Sequence, residues 1–221
     1  MVSNTSSASR PKVAAKPASP GRPKDLGKRA AILEAAKRLF SDLGFNGASM
    51  DQIAAGAGVS KLTVYSHFGD KEALFSAAVR AKCEELLPDG LFAEELKGPL
   101  REQLLAIANA FFALISSHEA ISTQRMMMAL GQADDPLRKL FWEAGPQRTQ
   151  DAFATFLRSR IKAGELEIAD VPCAARQFFA LIKGDIHGRM VCGLCTLPPR
   201  NDVSAHIEAT VDMFLRAYAV R

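Results

Sequence analysis

Apolar residues recur at three- and four-residue spacing from about Leu26 onward. Ile32, Leu33, Ala36, Leu39, Phe40 and Leu43 form one stripe, as an amphipathic helix requires. Gly44 follows the last periodic residue, where a glycine caps a helix C-terminus. Beyond residue 70 the same periodicity predicts helices near 71–87, 99–116, 119–131, 136–144, 146–163, 171–192 and 203–219. Pro99, Pro136, Pro146 and Pro172 stand at or near their starts, where a missing N–H costs little. No alternating run of β-branched residues is long enough for a strand. The expected fold class is all-α.

The stretch from Ser49 to Lys71 has a finer pattern. Ser49 suits an N-cap, and Gln52 three residues on completes a capping box. Ile53 and Ala57 share one face of a short helix, and the small Ala54 and Ala55 let a second helix approach. Gly58 permits the positive φ of a sharp turn. Val59 packs the turn, and Ser60 is a second N-cap. A second short helix then runs from Lys61 to Phe68, with Val64 and Phe68 four apart on its buried face. Lys61, Leu62, Thr63, Tyr65, Ser66 and His67 are left facing outward. Gly69 ends that helix, Asp70 caps the next, and Lys71 falls in a first turn where a cation opposes the helix dipole.

Charge sharpens this picture. The whole chain has a net charge of +4. Residues 1–82 hold 13 Lys and Arg against 6 Asp and Glu, while residues 83–221 hold 15 against 18. A basic front and a mildly acidic rear suggest that the front meets a polyanion. Residues 1–24 are rich in Ser, Ala, Pro, Lys and Arg and read as a disordered basic arm. Within it, Gly21-Arg22-Pro23-Lys24 suits either an AT-rich minor groove or general phosphate attraction. The two short helices therefore read as a helix-turn-helix over residues 49–68, with the second as the recognition helix. Lys61 and Thr63 are placed to reach base edges or phosphates, Leu62 a thymine methyl, and Tyr65 and His67 phosphates.

Residues 29–78 resemble the DNA-binding domain of the tetracycline-repressor (TetR) family. The matching positions are Ile32, Ala35, Leu39, Phe40, Gly44, Phe45, Ser49, Ile53, Ala54, Ala57, Gly58, Val59, Ser60, Thr63, Tyr65, His67, Phe68, Lys71, Leu74 and Phe75, in one order and without a gap. The resemblance implies an N-terminal three-helix DNA-binding domain over 25–78 and a larger C-terminal helical domain over 79–221. It implies that Tyr65 and Lys71 hold phosphates and that Lys61, Leu62 and Thr63 face bases. Leu62 departs from the small or polar residue often found there, so no operator sequence carries over. The expected DNA contacts are Ser49, Ser60, Lys61, Leu62, Thr63, Tyr65, Ser66, His67 and Lys71.

The resemblance also implies that the C-terminal domain dimerises and holds a small-molecule pocket. Two recognition helices one DNA turn apart read a two-fold operator, so a homodimer is expected on physical grounds too. Phe178, Leu181, Ile182, Ile207, Val211, Phe214 and Tyr218 are the expected interface residues, with Ala174 and Asp185 on the same stripe. The expected pocket residues are Phe112, Met127, Phe141, Trp142, Phe153, Phe156, Phe179 and His187, with Met126, Met128 and Met190 beside them. Such side chains adapt to apolar guests. His187, Gln124 and Arg125 are candidate polar anchors. The same residues at helical spacing also suit plain core.

Cys192-Gly-Leu-Cys195 is a C-x-x-C pair without a second such pair. It suggests a thiol- or metal-responsive sensor as the alternative, with Cys173 and His187 as further ligands. Packing by reduced cysteines is the simpler reading. No catalytic constellation, cofactor motif, membrane-length apolar run or export signal stands out. The sequence therefore reads as a cytoplasmic, non-enzymatic transcriptional regulator, expected to be a repressor released by a small apolar ligand.

Overall fold

The computed structural model describes residues 25–93, 98–130 and 136–220. The basic arm over 1–24, including Gly21–Lys24, lies outside them. Ten α-helices are described: α1 (Leu26–Gly47), α2 (Met50–Gly56), α3 (Lys61–Phe68), α4 (Lys71–Leu86), α5 (Leu100–Ser116), α6 (His118–Ala129), α7 (Pro136–Trp142), α8 (Arg148–Lys162), α9 (Val171–Val191) and α10 (Arg200–Tyr218). A 3-10 turn covers Asp89–Phe92. A short antiparallel bridge joins Leu166 to Ala219.

Asp25 starts α1 by accepting from the N–H groups of Gly27 and Lys28, which satisfies donors that an open helix end leaves free. Gly44 does not end this helix as the periodicity suggests. Its φ is 71°, and the chain then takes one more turn to Gly47. Leu43, placed on the buried stripe by its spacing, stands exposed just before that break.

A first core gathers Ile32, Ala36 and Phe40 of α1, Ile53 of α2, Val64 of α3 and Leu74 and Phe75 of α4. Met127 of α6 and Leu137 of α7 complete it. The front unit thus closes against the rear one, and α4 crosses residue 78 without interruption. A second core is dominated by phenylalanine. The Phe153 ring lies 4.6 Å from Phe178 and 5.0 Å from Phe179, and Phe178 lies 5.1 Å from Phe214. Each such ring contributes about 1.5–3 kcal/mol by leaving water.

Pro146 does not open a new helix as its position suggests. It sits inside a wide π turn, Glu143–Gln147, between α7 and α8. That turn releases the hydrogen bond a proline cannot make. It also brings Gly145 so close to α4 that a β-carbon there would meet Val79 at 3.2 Å.

Candidate functional site

α2 and α3 form a helix-turn-helix whose turn is fixed at every position by local chemistry. The Ser49 hydroxyl accepts from the Gln52 N–H, while the Gln52 side chain accepts from the Ser49 N–H at 2.9 Å. Gly58 turns the chain with φ 64°. Ser60 then caps α3 by accepting from the Thr63 N–H. Ile53 and Val64 are fully buried, so the two helices are clamped to α1 and α4.

Lys61, Leu62, Tyr65 and Ser66 are exposed on α3, and Leu62 stands 79% open to solvent. Thr63 and His67 turn partly inward. The Thr63 and Ser60 hydroxyls lie 2.8 Å apart. The His67 Nδ1 atom is buried without a partner. A residue at helix spacing from Val64 shares some of its burial, which a purely outward reading of His67 overlooks. The α3 face is also less purely basic than the sequence suggests. Lys61 Nζ lies 2.9 Å from Asp51 of α2, whose carboxylate raises the lysine above its ordinary value. Lys71 finds its partner within the protein, 4.4 Å above the Phe45 ring, where the ring face attracts a cation.

Behind this motif lies a cavity of about 140 Å3. Phe40 of α1, Phe75 of α4, Phe111 of α5, Phe141 of α7 and Phe179 of α9 give it an aromatic lining. Of the expected pocket residues, Phe141, Phe179 and His187 line it, as does Gln124. Phe112, Phe153 and Phe156 do not: they face the second core instead. Met127 fills the first core, and Trp142 and Met128 stand exposed. The Met126 sulfur accepts the Phe45 N–H at 2.9 Å. Met190 packs with Ile121, and Arg125 donates to the carbonyls of Met190 and Val191.

Sequence reading missed Lys37, Lys82, Cys83, Thr149 and Lys183 on the cavity wall. One signal was available, because Phe179, Lys183 and His187 are four residues apart in turn along α9. Lys37 pairs with Glu34 and Glu85, and Lys82 with Glu85 and Glu119. Burial works against the Lys37 charge, yet those two carboxylates hold its ammonium above the ordinary value. Lys183 differs. Desolvation holds it below the ordinary value. His187 is lowered by desolvation and by the nearby Lys183 charge.

Comparison with known proteins agrees with this geometry. Residues 32–78 match the family described as bacterial regulatory proteins of the tetR family. Residues 102–220 match the C-terminal domain of AefR-like transcriptional repressors. The chain belongs to the TetR family of transcriptional regulators. The flavonoid-responsive regulator FrrA is 34% identical, with 88% of this chain and 98% of FrrA covered and a TM-score of 0.66. The transcriptional activator FasR of Mycolicibacterium smegmatis is 36% identical over 40% of this chain and 40% of its own length. The transcriptional repressor AcnR of Corynebacterium efficiens is 34% identical over 36% of this chain and 44% of its own length. The chain thus spans less than half the length of these two curated relatives.

In this TetR-family chain the residues expected at a dimer interface divide into two groups. Phe178, Ile182, Ile207, Val211 and Phe214 are each at most 3% exposed within one protomer. They pack its own core and have no surface left to offer. Leu181 is 40% exposed, and Met213 on α10 is 43% exposed. Tyr218 donates its hydroxyl to Gln177 at 3.1 Å. Cys192 is exposed, while Cys173 and Cys195 are half-buried. Among the described residues no three His, Cys, Asp or Glu side chains gather in a group able to hold a metal. Among those residues, too, no single helix is long and apolar enough to cross a membrane.

Proposed function

We propose that this protein is a transcriptional repressor that binds a two-fold DNA site as a homodimer and is released by a small, mainly apolar ligand. The observation that carries the DNA reading is the α3 face. Lys61, Leu62, Tyr65 and Ser66 project from a helix clamped from behind and capped at both ends. A leucine 79% exposed beside a lysine and a tyrosine offers a methyl contact flanked by phosphate partners. Ser49, Ser60 and Thr63 fix the helices that present this face.

The aromatic cavity supports the ligand reading. It touches α4, which runs unbroken from Lys71 beside the motif to Cys83 on the cavity wall. It also touches α6, where Met126 holds the Phe45 backbone and Arg125 holds the end of α9. A ligand that prefers one spacing of these helices shifts the separation of two recognition helices, by as much as its affinities for the two states differ. FrrA, responsive to flavonoids by its name, supports an aromatic effector. FasR is named an activator and AcnR a repressor, so the direction of control is part of the proposal.

Selection of bound sequences from a random DNA pool tests it, with wild type and Tyr65→Ala at two salt concentrations. A two-fold site recovered by wild type and weakened by Tyr65→Ala supports the reading. Binding without a motif, steeply lost with salt, rejects it. A thiol-responsive regulator is the second reading, favoured by the exposure of Cys192. It requires that Cys192→Ser abolish a response to oxidant.

A further inference from the structure

The cavity wall is mixed in character. Phenylalanine and aliphatic side chains make most of it apolar, and Thr123 and Gln124 of α6, Gln150 of α8, and Lys183 and His187 of α9 are among its polar groups. Three ammonium groups reach it, and two are neutralised. Lys37 lies 2.6 Å from Glu34 and 2.7 Å from Glu85, and Lys82 lies 3.4 Å from Glu85 and from Glu119. Glu119, the acid on the wall, is committed to Lys82. Among the described residues no carboxylate pairs with Lys183. Its neighbour on α9, Asp185, is turned to Arg189 at 3.7 Å.

Lys183 is exposed as a residue and also lines the cavity, with no carboxylate of the described residues beside it. An anion entering the cavity therefore meets an ammonium that no described acid has taken. The volume limits what that anion is: about 140 Å3 is close to the size of an apolar cavity that admits one benzene ring, on the order of 150 Å3.

We propose that the cavity binds a small organic acid with a ring-sized apolar body, its anion on the Lys183 ammonium and its body among Phe40, Phe75, Phe111, Phe141 and Phe179. The inference rests on the ligand-responsive reading above and names the chemical class of its effector. Desolvation already holds Lys183 below its ordinary value, and a bound anion restores it. His187, beyond the Gly184 break and also on the cavity wall, offers a ring nitrogen to the same anion. Gln124 and Gln150 supply neutral donors elsewhere on that wall.

Matched acids and primary amides test this, because the two have nearly the same shape and differ in charge. Benzoate with benzamide, cinnamate with cinnamamide, and octanoate with octanamide would be titrated calorimetrically into the full chain at neutral pH. DNA release would be followed in parallel on the selected operator. The expected result is that at least one acid binds wild type about tenfold or more tighter than its amide. That preference disappears in Lys183→Met and persists in Lys183→Arg, with melting curves confirming that both variants fold. If either variant fails to fold, Lys183→Gln takes its place, and the wild-type acid-to-amide ratio stands by itself. Amides that bind and release DNA as well as their acids overturn the acid assignment and leave the ligand-responsive reading intact. A preference that survives Lys183→Met overturns the role of Lys183. Failure of all six compounds to bind overturns this inference together with the cavity as the effector site.

Discussion

The imidazole of His206 sits where a side chain on Gly184 would have to go. A β-carbon built on Gly184 would meet His206 Cε1 at 2.8 Å and Nε2 at 3.0 Å. Helix α9 breaks at this glycine, with φ 50° and ψ −158°, a region that L side chains rarely adopt. His206 Nε2 lies 3.1 Å from the Ile182 carbonyl, two residues before the break. The kink and the histidine from α10 therefore hold each other, one residue from Lys183.

Gly184→Ala is expected to destabilise the protein by about 2–4 kcal/mol, combining backbone strain with overpacking. His206→Ala removes the clash but not the strain. The double variant should therefore recover part of the loss and not all of it. Urea unfolding of the four proteins measures the coupling. Strict additivity would mean that the ring and the glycine do not meet in solution.

The Lys61–Asp51 pair predicts an asymmetry in DNA binding. Lys61 must leave Asp51 to reach a phosphate, and the aspartate itself repels the backbone. Asp51→Asn is expected to tighten operator binding by about two- to fivefold, in the range of an exposed ion pair. Lys61→Ala should weaken binding and lower the slope of log K against log salt by about one. Fluorescence anisotropy across a salt series reads both. A weaker Asp51→Asn complex would show that the aspartate orients Lys61 for binding.

Local signals made the helix-turn-helix legible. A capping box, a second N-cap, a turn glycine and four-residue spacing act within a few residues of each other, and Ser49, Gly58, Ser60 and Val64 behave as their neighbours dictate. The cavity is built from distant segments, and periodicity says only that a side chain is inside. Phe153 and Phe179 look alike in sequence and both pack in the second core, yet only Phe179 also lines the cavity. The decision depends on how α8 and α9 rotate against α5. The same limit applies to Phe214, whose apolar spacing does not say what it packs against, and which is buried in its own protomer's core. It applies too to Gly44 and Gly184, where a glycine breaks a helix internally without ending it.

The burial pattern on α9 and α10 separates the roles of two apolar residues. Leu181 is 40% exposed and Phe214 3%. Leu181→Glu should leave the fold intact and raise the dimer dissociation constant by about tenfold or more, because a charge is placed in an apolar contact. Phe214→Ala should cost about 3–5 kcal/mol of stability. Sedimentation velocity and thermal melting distinguish the two. A Leu181→Glu protein that stays fully dimeric would remove this face of α9 from the interface.

Thiol reactivity offers a direct report on the cavity. Burial pushes the Cys83 thiol up to about 11, and its sulfur lies 3.6 Å from where a β-carbon of Gly145 would stand. At pH 8 only about one Cys83 in a thousand is then a thiolate, the species that attacks an alkylating reagent. Cys192 is exposed and meets the reagent freely. Iodoacetamide at pH 8 should therefore label Cys192 within minutes and Cys83 only far more slowly. Guanidinium should make all 4 cysteines reactive. Peptide mapping by mass spectrometry follows each site. Labelling should respond to ligand as well, since Cys83 lines the cavity. A bound effector slows the residual Cys83 reaction and leaves Cys192 unchanged. Equal rates at Cys83 and Cys192 in the native protein would mean that α4 and the π turn open readily in solution, and that the aromatic cavity is not closed off on that side.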